Sequence, residues 1–534
     1  MARIILTHNS EYGQASVFMA VGHALQQLDP ETEIHVVSFH NIAREVASAS
    51  EQSVRAAQEA HGKAARPWEF HALSVPSLLD AVWESDKDRS VSNVMEMPPG
   101  FFNMFPVSHF AASVLLPWDG PEFVKGYREF AALAEEIRPD LVAVDSLFAI
   151  GLTACRGLGL KHVVLSPNTI KEFAAGLQPR AAGLWKYPVP GSGFSYPVPR
   201  RKIPLNIAYS MIQVGIIVGR RSARKARKYV RQELKTDIIT MQTLIMRPPR
   251  GEQILVATRK ELEFPFAYVP EHLKPCGPII RPVAPVGEVD PELAAWLARG
   301  PTVFICLGTH RFFYEDEAVE MATAIRQLLD AAQDKAAIGG VPGRLQVLWK
   351  LKQPGKLAAS GKNGSYPTGQ GSRVHGVLAE AIDGDRVRVV DWIKPNPAAV
   401  LQAGTVVCTV NHGGANSFYD GVMSGVPQII LPAWFDCYDF AHRVEVLGIG
   451  VWASRTSMPK CVAKELGPAL VEVVLGPRAE DMRKKVRELQ ELVNQTPGAE
   501  VAARAILDEA GKTKKKDEGE KKDNVEKKDE VESK

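Results

Sequence analysis

The chain holds only six cysteines in 534 residues, at positions 155, 276, 306, 408, 437 and 461. None forms a CxxC pair or stands at Cys/His ligand spacing, which excludes a disulfide scaffold and argues against structural zinc. Several lie in apolar runs, where a thiol behaves as a small hydrophobe, so a reduced compartment is expected. Charge of one sign is also lacking: 64 Lys and Arg against 61 Asp and Glu leave a formal net charge of +3. No global basic excess therefore suggests a nucleic-acid partner. Long hydrophobic runs are missing too. MARIILTHNS turns polar after IIL, too short for the core of a secretory signal, and a cytoplasmic protein is expected.

The nearest approach to a membrane span is IPLNIAYSMIQVGIIVG, Ile203 to Gly219, which includes Asn206 and Gln213 and falls short of the ~20 residues a crossing helix needs. RRSARKARKYVRQELK follows, with Arg220, Arg224, Arg227, Lys228 and Arg231 at helical spacing. A buried helix followed by a solvated one is the plainer reading. An apolar helix running into a basic one also fits peripheral contact with an anionic membrane over Ile203–Lys235. No aromatic residues interleave with the basic ones to form a stacking platform, so nucleic acid is not expected.

What is present is a composition 45% hydrophobic and 23% charged, typical of a globular protein. The length points to two domains of roughly 200–280 residues. Short apolar runs alternate with helical patterns: ARIILT, EIHVVSF, DLVAVDS and HVVLSP in the first half; TVFICLG, LQVLWKL, RVRVVDW, TVVCTV and QIILP in the second. Amphipathic stretches such as SVFMAVGHALQQL and EAVEMATAIRQLLDAAQ separate them. That rhythm predicts an α/β fold of two parallel-sheet halves facing a cleft. RPVAPVGEVDPELAAWLARGP, rich in Pro and Gly, marks the passage between them, giving expected domains 1–283 and 284–510. Gly183–Arg201 is rich in Pro and Gly and expected to border an acceptor pocket. Gln353–Arg373 reads as a mobile insertion, and 511–534, almost without apolar residues, as a disordered tail.

NHGGANSFYDGVMSGVP, Asn411 to Pro427, carries the chemistry. A strand ends near Asn411, glycines allow close backbone approach, and a helix opens at Asn416 or Ser417. Either this is an ordinary strand-turn-helix connection, or its unpaired amides and helix dipole cradle a phosphate. His412 and Ser417 can add donors, and Asp420, a turn into the helix, can accept bonds from a ribose diol. The one DxD string, Asp383-Gly384-Asp385, has the composition of a tight turn rather than of a metal site.

With RVVDWIKPNPAAVL before it and AWFDCYDFAHRVEVLGIG after it, the run Val390–Gly450 resembles the nucleotide-sugar signature of the family-one UDP-glycosyltransferases, above all their fungal members. TVFICLGTH and DLVAVDSLFAIGLTACRGLGLKHVVLSPN extend the resemblance. It implies a GT-B fold, with two Rossmann-like domains, the first binding the acceptor and the second a UDP-sugar, the final helix returning to the first. It implies that Trp392 stacks on uracil, that His412, Asn416 and Ser417 hold the diphosphate with the amides of Gly413 and Gly414, and that Gly308 and Thr309 lie near the β-phosphate. Asp420 stands where the family has Glu, on the ribose, and Asp436 at the sugar hydroxyls. Cys437 replaces the Gln that commonly helps select the sugar, and reads as a packing residue. No cofactor and no metal are implied.

The catalytic His of the family follows a glycine after the first strand. Here Gly13 is followed by Gln14, which cannot act as a base near neutral pH. His8 and Glu11 on the same loop are the candidates, with Asp145 either orienting His8 or taking the proton itself. The reading is inverting transfer of a hexose to a hydroxyl of a small apolar acceptor; a sterol or lipid glycosyltransferase, and a non-catalytic UDP-sugar-binding protein, are the alternatives. Oligomeric state is not legible.

Overall fold

The computed structural model describes residues 2–63, 65–85, 94, 97–247, 251–309, 311–355, 364–433 and 435–511. Residues 356–363 of the expected insertion and 512–534 of the expected tail lie outside them. A seven-stranded parallel sheet is built from β1 (Arg3–Thr7), β2 (Glu33–Phe39), β3 (Glu69–Leu73), β4 (Leu141–Asp145), β5 (His162–Ser166), β6 (Ile254–Val256) and β7 (Leu273–Pro275), in the order β3-β2-β1-β4-β5-β6-β7. Next in the chain come β8 (Thr302–Cys306), a small hairpin of β9 (Ala337–Ile338) and β10 (Val341–Pro342), then β11 (Gln346–Lys350), β12 (Val387–Val390), β13 (Val406–Asn411), β14 (Gln428–Ile430) and β15 (Gly450–Trp452). Apart from the hairpin these form a six-stranded parallel sheet, β12-β11-β8-β13-β14-β15.

The strands read as unbroken apolar runs because helices cover both faces of each sheet. Alternation decides which core a residue joins. Ile5, Val37, Val142 and Val144 enter one core of the first sheet, while Ile4, Leu6, Ile34, Leu141 and Ala143 enter the core on the opposite face. Both sheets reverse their winding beside the first strand, between β1 and β4 and between β8 and β13. Loops leaving the carboxyl ends of neighbouring strands diverge at such points, and ligands bind there. The residues beyond β1 and β4 are His8 and Ser146, and those beyond β8 and β13 are Leu307 and His412.

Several contacts tie the halves together, two of them extensive or deeply buried. The last helix, 498–511, brings Ala502, Ala503 and Ile506 into the core of Ile4 and Leu6. Deeper in, Arg443 on the helix Cys437–Val446 donates through Nη2 to Glu263 at 2.8 Å and to Thr169 Oγ1 at 2.8 Å. Both members of this ion pair are buried. Glu263 in turn accepts the Ile170 amide at 2.9 Å.

The helix Ile203–Gly219 departs from the plainer expectation: it is not buried. Met211, Val214 and Val218 are each more than half exposed, because only the side bearing Asn206 and Tyr209 faces the fold. All six cysteines are buried thiols outside any disulfide.

Removing one member of a buried ion pair strands the other charge. Arg443→Met should therefore lower unfolding stability by ~3–5 kcal/mol, and Arg443→Met with Glu263→Leu should recover more than half of that loss, both measured by denaturant titration.

Candidate functional site

In the second half, the strand-turn-helix is wired by a residue the motif reading passed over. Asn411 closes β13, accepts the Gly413 amide on Oδ1 at 2.8 Å and donates to Gln428 Oε1 at 3.1 Å. Gln428 donates on to the Phe418 carbonyl at 2.9 Å, tying the strand to the helix Ala415–Met423. This corrects one expectation: the Gly413 amide is committed within the turn rather than turned toward a ligand. Gly413 serves by conformation, at φ +78° with the Cys437 carbonyl only 2.8 Å from where a Cβ would stand. The amides of Ala415, Asn416 and Ser417 have no intrahelical partner, and no side chain caps them.

The His412 ring lies in a slot between two loops. A Cβ on Gly308, at φ +76°, would come within 2.7 Å of it, and one on Gly414 within 2.5 Å. Thr309, beside Gly308, accepts the Lys352 ammonium on its carbonyl. Asn416 reaches across the cleft, its Nδ2 donating to Ser16 Oγ at 3.1 Å on the helix Tyr12–Leu28.

Trp392 exposes 64% of its surface and carries the Lys350 ammonium 4.2 Å from its ring centroid. Burial pushes the carboxyl groups of Asp420 and Asp436 up to about 7; Glu172 adds to the effect at Asp436. Asp436 stands immediately before the helix Cys437–Val446, which carries Arg443. Cys437 is buried.

The other wall is the loop after β1, where five buried polar atoms in seven residues have no hydrogen-bond partner: His8 Nε2, Asn9 Oδ1, Ser10 Oγ, Glu11 Oε2 and Gln14 Oε1. Each such group costs about 1–3 kcal/mol, so their concentration marks a place kept for something polar. His8 is fully buried, bonds the Asn9 carbonyl through Nδ1 at 2.7 Å, and has its pKa lowered by burial to about 4. It is neutral at pH 7 and a weak base. Asp145 accepts from the Asn9 amide and side chain at 3.3 and 3.2 Å and from the Leu147 amide at 2.9 Å. Its pKa rises to about 6 by burial. It thus orients Asn9, not His8, and Asn9 is a residue the sequence did not single out. Glu11 accepts the Leu79 amide on Oε1 at 3.1 Å, and burial raises its pKa to about 7.

Where the two halves meet, a cavity is lined by Met97, Met104 and Val107 from the first half and by Ala433, Phe435 and Tyr438 from the second, on either side of Asp436 in sequence. Asp385 of the DxD string is paired with Arg299 and Arg388, and Asp383 with His375. Among the described residues, one cluster has metal-ligand spacing, His35, Glu69 and His71 on β2 and β3, apart from the cleft.

Residues 376–507 match the family described as the C-terminal domain of erythromycin biosynthesis protein CIII-like proteins. The chain is 31% identical over 471 residues to glycosyltransferase sdnJ of Sordaria araneosa, covering 87% of this chain and 86% of that protein. It is 24% identical to a human 2-hydroxyacylsphingosine 1-beta-galactosyltransferase over 67% of this chain and 57% of the other. Among solved structures, a UGT transferase from Siraitia grosvenorii in complex with UDP superposes with a TM-score of 0.57 at 17% identity, covering 96% of this chain and all of that one. A UDP-glucosyltransferase from Polygonum tinctorium gives 0.59 at 16%, covering 96% and 98%.

Gly413→Ala sets a methyl against the Cys437 carbonyl at a left-handed φ and should lower the unfolding midpoint, by roughly 2–4 kcal/mol of lost stability. Gly176→Ala, with nothing within 4 Å, should leave the midpoint unchanged. Thermal or denaturant melts of the two variants make the comparison.

Proposed function

The chain belongs to the family-one UDP-glycosyltransferases, enzymes of sugar transfer to small acceptors, and from that premise we propose that it moves a hexose from a UDP-sugar to a hydroxyl of a small, largely apolar acceptor with inversion at the anomeric carbon. One observation carries this reading. The uncapped helix start at Ala415–Ser417 is tied by the Asn416–Ser16 hydrogen bond of 3.1 Å to the helix that follows the loop of unpartnered polar atoms.

Uracil stacks on Trp392. The diphosphate takes the helix-start amides and His412, where the positive end of the helix dipole favours negative charge. Asp420 meets the ribose diol, its shorter side chain calling for a longer or water-bridged contact than Glu would make. Asp436 takes the sugar hydroxyls, and the acceptor approaches beside the Met97–Tyr438 cavity. Glu11 is the base: its raised pKa matches the working pH, and Oε2 is uncommitted. As the acceptor oxygen attacks the anomeric carbon, its proton passes to Glu11 and the bond to the β-phosphate oxygen breaks. Charge gathering on that oxygen is stabilised by fixed amides that need no reorganisation. Asp145 acts one step back, holding Asn9 in the loop. A membrane-dissolved lipid acceptor is a second reading, favoured by Phe102, 83% exposed two positions from the cavity-lining Met104.

Glu11 works only when deprotonated, so kcat/KM should rise as pH passes upward through about 7. Glu11→Gln should cut the rate about 10²–10⁴-fold and abolish that rise. A rise that survives in Glu11→Gln, or one centred near 4, would transfer the role to another group. By calorimetry, His412→Ala should weaken UDP binding at least about tenfold, and unchanged affinity would refute the diphosphate site. Titration with UDP-glucose, UDP-glucuronate and UDP-N-acetylglucosamine identifies the sugar.

A further inference from the structure

The helix Ile203–Gly219 carries no charged side chain and is, with the turn before it, long and apolar enough to cross a membrane, yet little of it is buried. It cannot leave the fold to do so. Asn206 donates through Nδ2 to the carbonyls of Leu184 and Tyr187 at 2.8 and 3.0 Å and accepts the Val189 amide at 3.0 Å. Seven residues on, Gln213 donates to the Pro190 carbonyl at 2.9 Å. Held along its length, the helix lies flat on the first domain. Ile207, Met211, Val214 and Val218, at spacings of four, three and four, share its outer side, with Met211 71% exposed. It packs on the helix Met104–Leu115, and Phe101, whose ring is 6.2 Å from that of Tyr209, extends the apolar area together with Phe102 and Phe105.

The charge around this area is one-sided. From residue 173 to residue 232 the sequence has no Asp or Glu, while twelve Lys and Arg fall in the same span, including Arg200, Arg201 and Lys202 just before the helix and Arg220 and Arg221 just after it. A second copy of this face would bring like charges together. An apolar strip bracketed by cations matches a bilayer whose headgroups are anionic.

We propose that this face seats on an anionic lipid bilayer and that the acceptor approaches from it, beside the cavity. The second part rests on the acceptor reading given above. Met104 makes the link: it lines the cavity and packs on Tyr209 of the seated helix.

Flotation of the full chain with phosphatidylcholine/phosphatidylserine vesicles, and with phosphatidylcholine alone, tests the seat. Binding should appear with the anionic vesicles, fall about tenfold with phosphatidylcholine alone, and weaken as salt is raised. Met211→Glu with Val218→Glu, both on exposed positions, should abolish flotation while UDP affinity and transfer to a water-soluble acceptor stay within about twofold. Wild-type protein that fails to float overturns the seat. So does flotation that survives the double variant, or a dimer that the variant converts to monomers. Flotation as expected without UDP binding would instead break the functional reading and leave the seat standing. Transfer to a vesicle-dissolved sterol or ceramide that is equal in wild type and variant would remove the entry route.

Discussion

The ion pair between Arg443 and Glu263 is the constraint on which the cleft depends. It joins the two halves where no water reaches, and Arg443 also lies over the rings of Phe264 and Phe440, at 5.0 and 4.7 Å. Such a pair adds little to net stability compared with a well-packed apolar contact, because both charges must be desolvated. What it supplies is position. Arg443 belongs to the helix that begins after Asp436, and the first carbonyl of that helix, at Cys437, presses on Gly413. Gly413 sets the turn that leaves His412 between Gly308 and Gly414. The ion pair and the turn at Gly413 are thus linked through one helix, Cys437–Val446.

The cleft is unusual in how it holds protons. Glu11 on one wall and Asp420 and Asp436 on the other all have pKa values raised by burial to about 7. Near neutral pH none is fully ionised. Three full carboxylates would repel an anion, whereas half-protonated groups can donate as well as accept.

Much of this was legible in the sequence, and the gaps have physical causes. Runs such as DLVAVD and TVVCTV declared themselves as strands because both sheet faces are covered. EFHAL did not, since β3 is an edge strand whose side chains are mostly half-buried. β6, β7 and β15 have only three residues each, too few for any period to show. The donor loop was readable because His412 to Asp420 are close in the chain. Asn411 was not: at the end of an apolar run it looks like a strand terminus, and its partner Gln428 is seventeen residues away. Asn9 and Asp145 are 136 residues apart, joined only when β1 and β4 pair. The helix Ile203–Gly219 was misread for another reason. Its polar residues Asn206 and Gln213 meet the fold while apolar ones face outward, the reverse of the usual pattern.

The return of helix 498–511 to the core of β1 has a consequence for how the two halves exchange and evolve. The chain leaves the first sheet after β7 and returns to its core with the helix 498–511. Topologically the second half is a guest inserted into its host, hung from two crossings that lie side by side at Gly277 and Gly498. A chimera that swaps donor domains between relatives must therefore be spliced at two places; a single junction would take the host's closing helix away with the guest.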